Sequence, residues 1–166
     1  MFFKILKNEY INHYGNKSLL ILRVLKWYMK APNYRVVVLI KYCTKVKSNF
    51  LKRMVRNKLS IKYNTEIGTN PKIGENFSIE HFQSIVIGNN VEIGNNVKLY
   101  QNVTLGQKNG EYPSIKDNVI IYAGAKVIGN IVIGENSIVG ANAVVVRDVP
   151  ANVVVAGVPA KVIKQL

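Results

Sequence analysis

His81 is one of only two histidines in the 166-residue chain, and it directly follows Glu80 in the stretch Ser-Ile-Glu-His-Phe-Gln-Ser at 78–84. An imidazole titrates near neutrality, and a carboxylate one layer away orients the ring and favours its charged form. Such a pair is equipped to act as general base, taking the proton of a hydroxyl as its oxygen attacks a carbonyl. The charge that develops on the carbonyl oxygen then calls for an N–H donor. The backbone amides of Gly106 and Gln107 are the candidates.

The elements that must position His81 follow from a repeat. Ile67, Ile73 and Ile79 are six apart; Ile87, Ile93, Leu99 and Leu105 resume the beat, and Ile115, Ile121, Val127, Ile133, Val139 and Val145 continue it. Glycine directly follows seven of these, at 68, 74, 88, 94, 106, 134 and 140. A period of six fits neither an amphipathic helix nor a half-buried strand. It fits very short strands joined by corners, one aliphatic side chain of each unit pointing inward. Gly and Asn take the bends because they tolerate positive φ, and Asn89-Asn90 and Asn95-Asn96 fall where corners belong. Three units close one turn of a prism, and stacked turns pair as parallel strands about 4.8 Å apart.

The beat breaks twice. Ile79 to Ile87 spans eight residues, with His81 inside, and Leu105 to Ile115 spans ten, across Gly106–Ser114. Loops on a rigid scaffold are where chemistry tends to sit. Counting faces in threes puts the Glu66 corner and the His81 corner on one edge of the prism, one layer apart, so Glu66 is the expected orienting carboxylate.

The repeat resembles that of the hexapeptide-repeat acyltransferases, over residues 64–166. The resemblance implies a mainly β chain, a left-handed parallel β-helix behind a short basic α-helical N-terminal segment (residues 1–63). "IEHFQSIVIG", "YQNVTLG", "YAGAKVIGNIVIG" and "AGVPAKVI" are similar to segments of the serine O-acetyltransferase-like branch. By that resemblance His81 is the catalytic base, Glu66 its partner and Glu80 an acceptor contact. The acetyl-CoA groove would take Gly106, Gln107, Ala123, Ala141 and the loop Gly157–Lys161, with Lys126 and Lys161 facing CoA phosphates. Small side chains there let the pantetheine arm lie along the backbone. A homotrimer with sites between subunits is implied as well. One departure stands out: where the family's second loop carries Arg-His before Pro, this chain reads Glu111-Tyr112-Pro113, and its loop is shorter. Tyr112 is then the expected acceptor contact, and an arginine suited to an amino-acid carboxylate has become an acid.

Charge divides the chain in two. Residues 1–63 hold 15 Lys/Arg and one acid, Glu9, whereas residues 64–166 hold eight of each sign. The first part shows helical spacing broken at Gly15 and near Pro32, with Leu19, Leu20, Leu22, Leu25, Trp27, Tyr28 and Met29 on an amphipathic helix. A basic amphipathic stretch reads as a surface for anionic membrane, and equally as a helical cap on the prism. Nucleic acid lacks a motif here, and His13 reads as structural or solvated. With Cys43 alone no internal disulfide forms, and no apolar run is long enough to span a bilayer. The chain's start lacks a secretory signal, which points to a cytoplasmic protein, peripheral at the inner face of a bacterial membrane. No metal is expected, since a zinc site of three histidines is out of reach.

These features give the expectation of an acetyl-CoA-dependent O-acetyltransferase acting on a sugar hydroxyl, lipid-linked or free, in capsule or exopolysaccharide assembly. Serine acetylation is the enzymatic alternative. A membrane-docking scaffold that keeps the β-helix is the non-catalytic one.

Overall fold

The computed structural model describes residues 1–15 and 21–166; Leu19 and Leu20, expected on the second helix, lie outside the described residues. Four helices come first: α1 (Phe2–Tyr14), α2 (Ile21–Lys30), α3 (Pro32–Lys45) and α4 (Asn49–Tyr63). Both expected breaks are found. Gly15 ends α1 at φ 71°, and Pro32 opens α3, where its missing N–H costs nothing. Ser48 caps α4 by accepting a hydrogen bond from the Leu51 N–H, and Asn64 closes it in the left-handed region.

From Thr65 the chain winds as a parallel β-helix. One face stacks β1 (Thr65–Ile67), β4 (Ile85–Ile87), β7 (Thr104–Gly106), β10 (Lys126–Ile128) and β13 (Val144–Val145). The second stacks β2 (Lys72–Ile73), β5 (Glu92–Ile93), β8 (Ser114–Ile115) and β11 (Val132–Ile133). The third stacks β3 (Ser78–Ile79), β6 (Lys98–Leu99), β9 (Ile120–Ile121), β12 (Ile138–Val139) and β14 (Val153–Ala156). A last strand, β15 (Lys161–Gln165), turns back antiparallel on β14 at the edge of that face. The sequence pattern gave no sign of it.

Register shows the two breaks as longer coils. Thr65 pairs with Ile85, Val86 with Thr104, Thr104 with Lys126 and Lys126 with Val144, so coils of 20 and 22 residues alternate with coils of 18. The repeat positions fill the prism. All but the half-buried Ile73 are buried, as are Val91, Val97, Val103, Val119, Ala125, Ser137 and Ala143 four residues on.

Glycine and asparagine divide the labour at the corners. The glycines that follow the aliphatic beat are not at positive φ. They are small because the next coil lies on them: a Cβ on Gly68 would stand 2.3 Å from Asn89 Cα, and one on Gly134 2.4 Å from Ala151 N. Positive φ falls mostly to asparagine. Asn76, Asn96, Asn118, Asn136 and Asn152 share one corner at φ 53–60°, and each side-chain amide donates to the next one's carbonyl at 2.9–3.0 Å. Asn12 of α1 extends this ladder by donating to Asn76 at 3.0 Å.

The helices close the open end of the prism. Val36, Val37, Leu39, Ile40 and Cys43 of α3, with Leu59 and Tyr63 of α4, join the same apolar core as the first coil. A second core of Ile5, Leu6, Tyr10, Val24, Trp27 and Val38 binds α1, α2 and α3 together. The described parts of α1–α4 therefore pack as a cap on the prism. Among the described residues no helix is long and apolar enough to cross a membrane.

Candidate active site

His81 lies in the corner between the third face and the first, just after β3. It is exposed and sits at φ 57°. A left-handed conformation costs a non-glycine residue about 1–2 kcal/mol, though histidine tolerates it better than most. Among the described residues, nine of the eleven non-glycine residues at positive φ are asparagines; His81 and Ser84 are the others, and both are in this corner. The corner is tied down from below. The Thr65 hydroxyl donates to the Phe82 carbonyl at 2.7 Å, the Ser84 N–H donates to the Asn64 carbonyl at 2.8 Å, and the Phe82 ring meets Tyr63 edge-on at 5.6 Å. Surroundings that over-determine a strained residue are common at functional sites.

The end of α4, not Glu66, thus forms the layer beneath His81. Glu66 pairs in register with Val86, beyond His81 in the chain. Its exposed side chain lines a cleft with Arg53, Arg56, Asn57 and Ser60. Among the described residues no hydrogen bond or ion pair joins His81 to Glu66 or to Glu80. Counting coils placed His81 at a corner, but Glu66, expected at the corner below it, lies within β1, and the ladder fixes neighbours by register.

Glu80 faces elsewhere. Its carboxylate is 3.5 Å from Lys98 Nζ and lines a cavity between the helical cap and β3. Asn12 and His13 of α1 and Asn33 and Tyr34 of α3 form the opposite wall. Tyr34 Oη is hydrogen-bonded to His13 Nδ1 at 2.6 Å. Burial raises the Tyr34 phenol above its usual value, and the Glu80 charge adds to that, so it remains a hydroxyl at neutral pH. Neither His13 nor Tyr34 was marked as a site residue by its surroundings in sequence. The rarity of histidine was the only available signal, and only the docking of α1 and α3 on the first coil gave it meaning.

The residues expected to hold acetyl-CoA divide between two edges. Ala123 and Ala141 occupy the same edge as His81, two and three coils away, in a column where the Gly124 N–H bonds the Gln101 carbonyl and the Asn142 N–H the Ala123 carbonyl. Gly157, at φ 97°, continues this column past β14, and Lys161 is exposed at the start of β15. Small side chains leave this edge open to an extended arm, so these residues fit the group. Lys126 lies on the same edge, but its ammonium donates to the Asn102 carbonyl at 2.5 Å.

Gly106, Gln107 and Tyr112 lie on the next edge, between the first and second faces. There the loop folds on itself: the Gly110 N–H donates to the Gln107 side chain at 2.6 Å, and Lys108 and Glu111 form a backbone bridge. The Tyr112 ring lies against Gly88, where an added Cβ would come within 2.6 Å of it. Within one protomer, then, His81 and this loop are not brought together. Among the described residues no cluster of His, Cys, Asp and Glu is arranged to hold a metal.

Comparison with known proteins gives this geometry a setting. The family described as bacterial transferase hexapeptide (six repeats) matches residues 112–147. A serine acetyltransferase of Mycobacterium tuberculosis (strain ATCC 25618 / H37Rv) is 61% identical over 54 residues, 32% of this chain and 24% of that protein. The chain therefore matches about a quarter of that curated relative's length. The crystal structure of Neisseria gonorrhoeae serine acetyltransferase in complex with serine superposes with a TM-score of 0.82 at 26% identity, covering 98% of this chain and 69% of that one. That of serine acetyltransferase in complex with coenzyme A from Brucella abortus strain S19 gives 0.80 at 26% identity, covering 98% and 67%.

These relatives overturn the expected sugar acceptor of polysaccharide assembly, because the proteins this chain resembles are serine acetyltransferases. The superposition covers nearly the whole chain, so α1–α4 have counterparts in those enzymes.

Proposed function

We propose that this chain, a hexapeptide-repeat acyltransferase of the serine O-acetyltransferase branch, transfers the acetyl group of acetyl-CoA to the hydroxyl of serine. The observation that carries the reading is the superposition on a serine-bound and a coenzyme-A-bound serine acetyltransferase across both the helical cap and the β-helix.

In this reading His81 takes the hydroxyl proton as the serine oxygen attacks the thioester carbonyl. A C–O bond forms, the C–S bond breaks, and the proton passes to the departing thiolate, leaving O-acetylserine and free CoA. The amino acid lies at the mouth of the cavity beside β3, its hydroxyl toward His81, its ammonium group facing Glu80 and its carboxylate end within reach of the Tyr34 hydroxyl. Acetyl-CoA lies along the edge column of Ala123, Ala141 and Gly157, and Lys161 meets a phosphate. Because Gly106, Gln107 and Tyr112 stand on another edge, a site that uses them takes His81 from one subunit and the loop from its neighbour. A homotrimer supplies that pairing three times over.

The test is release of CoA thiol from acetyl-CoA with L-serine as acceptor, for the natural chain and for His81→Asn. Turnover with serine is expected, falling about 10²- to 10⁴-fold in the variant. No serine-dependent release, or natural rates in His81→Asn, would overturn the reading.

A further inference from the structure

Helix α4 has two apolar stripes, and only one is buried. Leu59 and Tyr63 face the core, with Val55 packed beside them. At about 100° per residue, Phe50, Met54 and Ile61 fall within roughly 40° of one another on the opposite side. They are 62%, 54% and 86% exposed. A surface helix ordinarily turns charge outward on that side. Next to the stripe, Leu51 and Met54 form one wall of an apolar groove that Phe2, Tyr28 and Tyr42 complete.

Charge decides what covers this face. Arg53, Lys58 and Lys62 flank the stripe and are exposed. The sole acid of residues 1–63, Glu9, is buried and bonded to the buried Lys41 at 2.7 Å. No side chain of the segment offsets its surface charge. A second copy meeting this face would bring the same unrelieved cations against it. Nucleic acid would neutralise the charge but leave the apolar stripe in water. An anionic bilayer accommodates both: acyl chains for Phe50, Met54 and Ile61, headgroups for the flanking cations.

We propose that the outer face of α4 lies in the interfacial layer of an anionic membrane, with Phe50, Met54 and Ile61 inserted, so that the cap holds the β-helix at the lipid surface. This docking is independent of the acetyl acceptor. The stripe includes none of the residues assigned to transfer.

The test is co-sedimentation of the full chain with vesicles of phosphatidylcholine alone or mixed with an equal part of phosphatidylglycerol, at low and high salt. The natural chain is expected to partition onto the mixed vesicles only, less so in high salt. The combined variant Phe50→Ser, Met54→Ser, Ile61→Ser is expected to lose at least about tenfold in partitioning. Its circular dichroism and its turnover of soluble substrate are expected to match the natural chain. Lys58→Gln with Lys62→Gln should weaken binding while flattening its salt dependence. Absence of binding to the mixed vesicles would overturn the proposal. So would a serine variant that binds as well as the natural chain, or one that alters only the oligomer size in sedimentation, which would assign the stripe to contact between copies.

Discussion

Tyr34 Oη and His13 Nδ1 are 2.6 Å apart, joining two helices at the wall of the cavity that Glu80 lines from the other side. The sequence separates these groups by 21 residues and offers no period that links them. Because burial and the Glu80 charge both keep Tyr34 protonated, it presents a hydroxyl beside a carboxylate. Tyr34→Phe is therefore expected to raise KM for the amino-acid acceptor about fivefold, the value of one hydrogen bond near 1 kcal/mol, with KM for acetyl-CoA unchanged. Steady-state kinetics with each substrate varied will check it; an equal rise in both constants would mean a general loss of structure.

His81 separates chemistry from backbone. Among the described residues asparagine serves the left-handed conformation at nine other positions, so His81→Asn is expected to fold with stability changed by no more than about 0.5 kcal/mol while turnover collapses. His81→Val, β-branched in the same conformation, should lose about 1–2 kcal/mol of stability as well. Urea unfolding of both variants beside their kinetics distinguishes the two contributions.

The asparagine ladder makes its own claim. Asn118 donates to Asn136, accepts from Asn96 and sits at φ 60°. Asn118→Ala should cost about 2 kcal/mol, from two partly exposed hydrogen bonds and a strained backbone. Asn118→Gly should recover about half by relieving the strain alone. If both cost the same, as read from denaturant midpoints, φ is not the source.

Asp117 gives stability a pH dependence. It accepts from the Asn95 N–H at 2.7 Å and from the Asn95 side chain at 3.2 Å, and these bonds hold its carboxyl below the ordinary value. A group depressed on folding stabilises above its unfolded pKa, and that contribution is lost as pH falls through the folded value. Melting temperature should accordingly drop in the acid range, below the usual aspartate pKa, by more in the natural chain than in Asp117→Asn. Parallel curves for the two would remove Asp117 from the account.

The sequence by itself determined the prism. The six-residue beat from Ile67 to Val145 specifies where side chains turn inward, and asparagine specifies where the chain takes its left-handed bends, because both are local demands on φ, ψ and burial. The breaks at His81 and at Gly106–Ser114 were legible as departures from that beat, and they are the two longer coils. Which residues meet across coils was decided by the tertiary structure. Register sets Glu66 against Val86 and the end of α4 beneath His81, and it gives the glycines their reason, which is the coil stacked upon them rather than a left-handed bend. The docking of α1 and α3 on the first coil made a cavity of His13, Tyr34 and Glu80, and the fold turned a second apolar stripe of α4 toward solvent. These relationships depend on distances between segments far apart in the chain, and a repeat that describes only its own next six residues does not encode them.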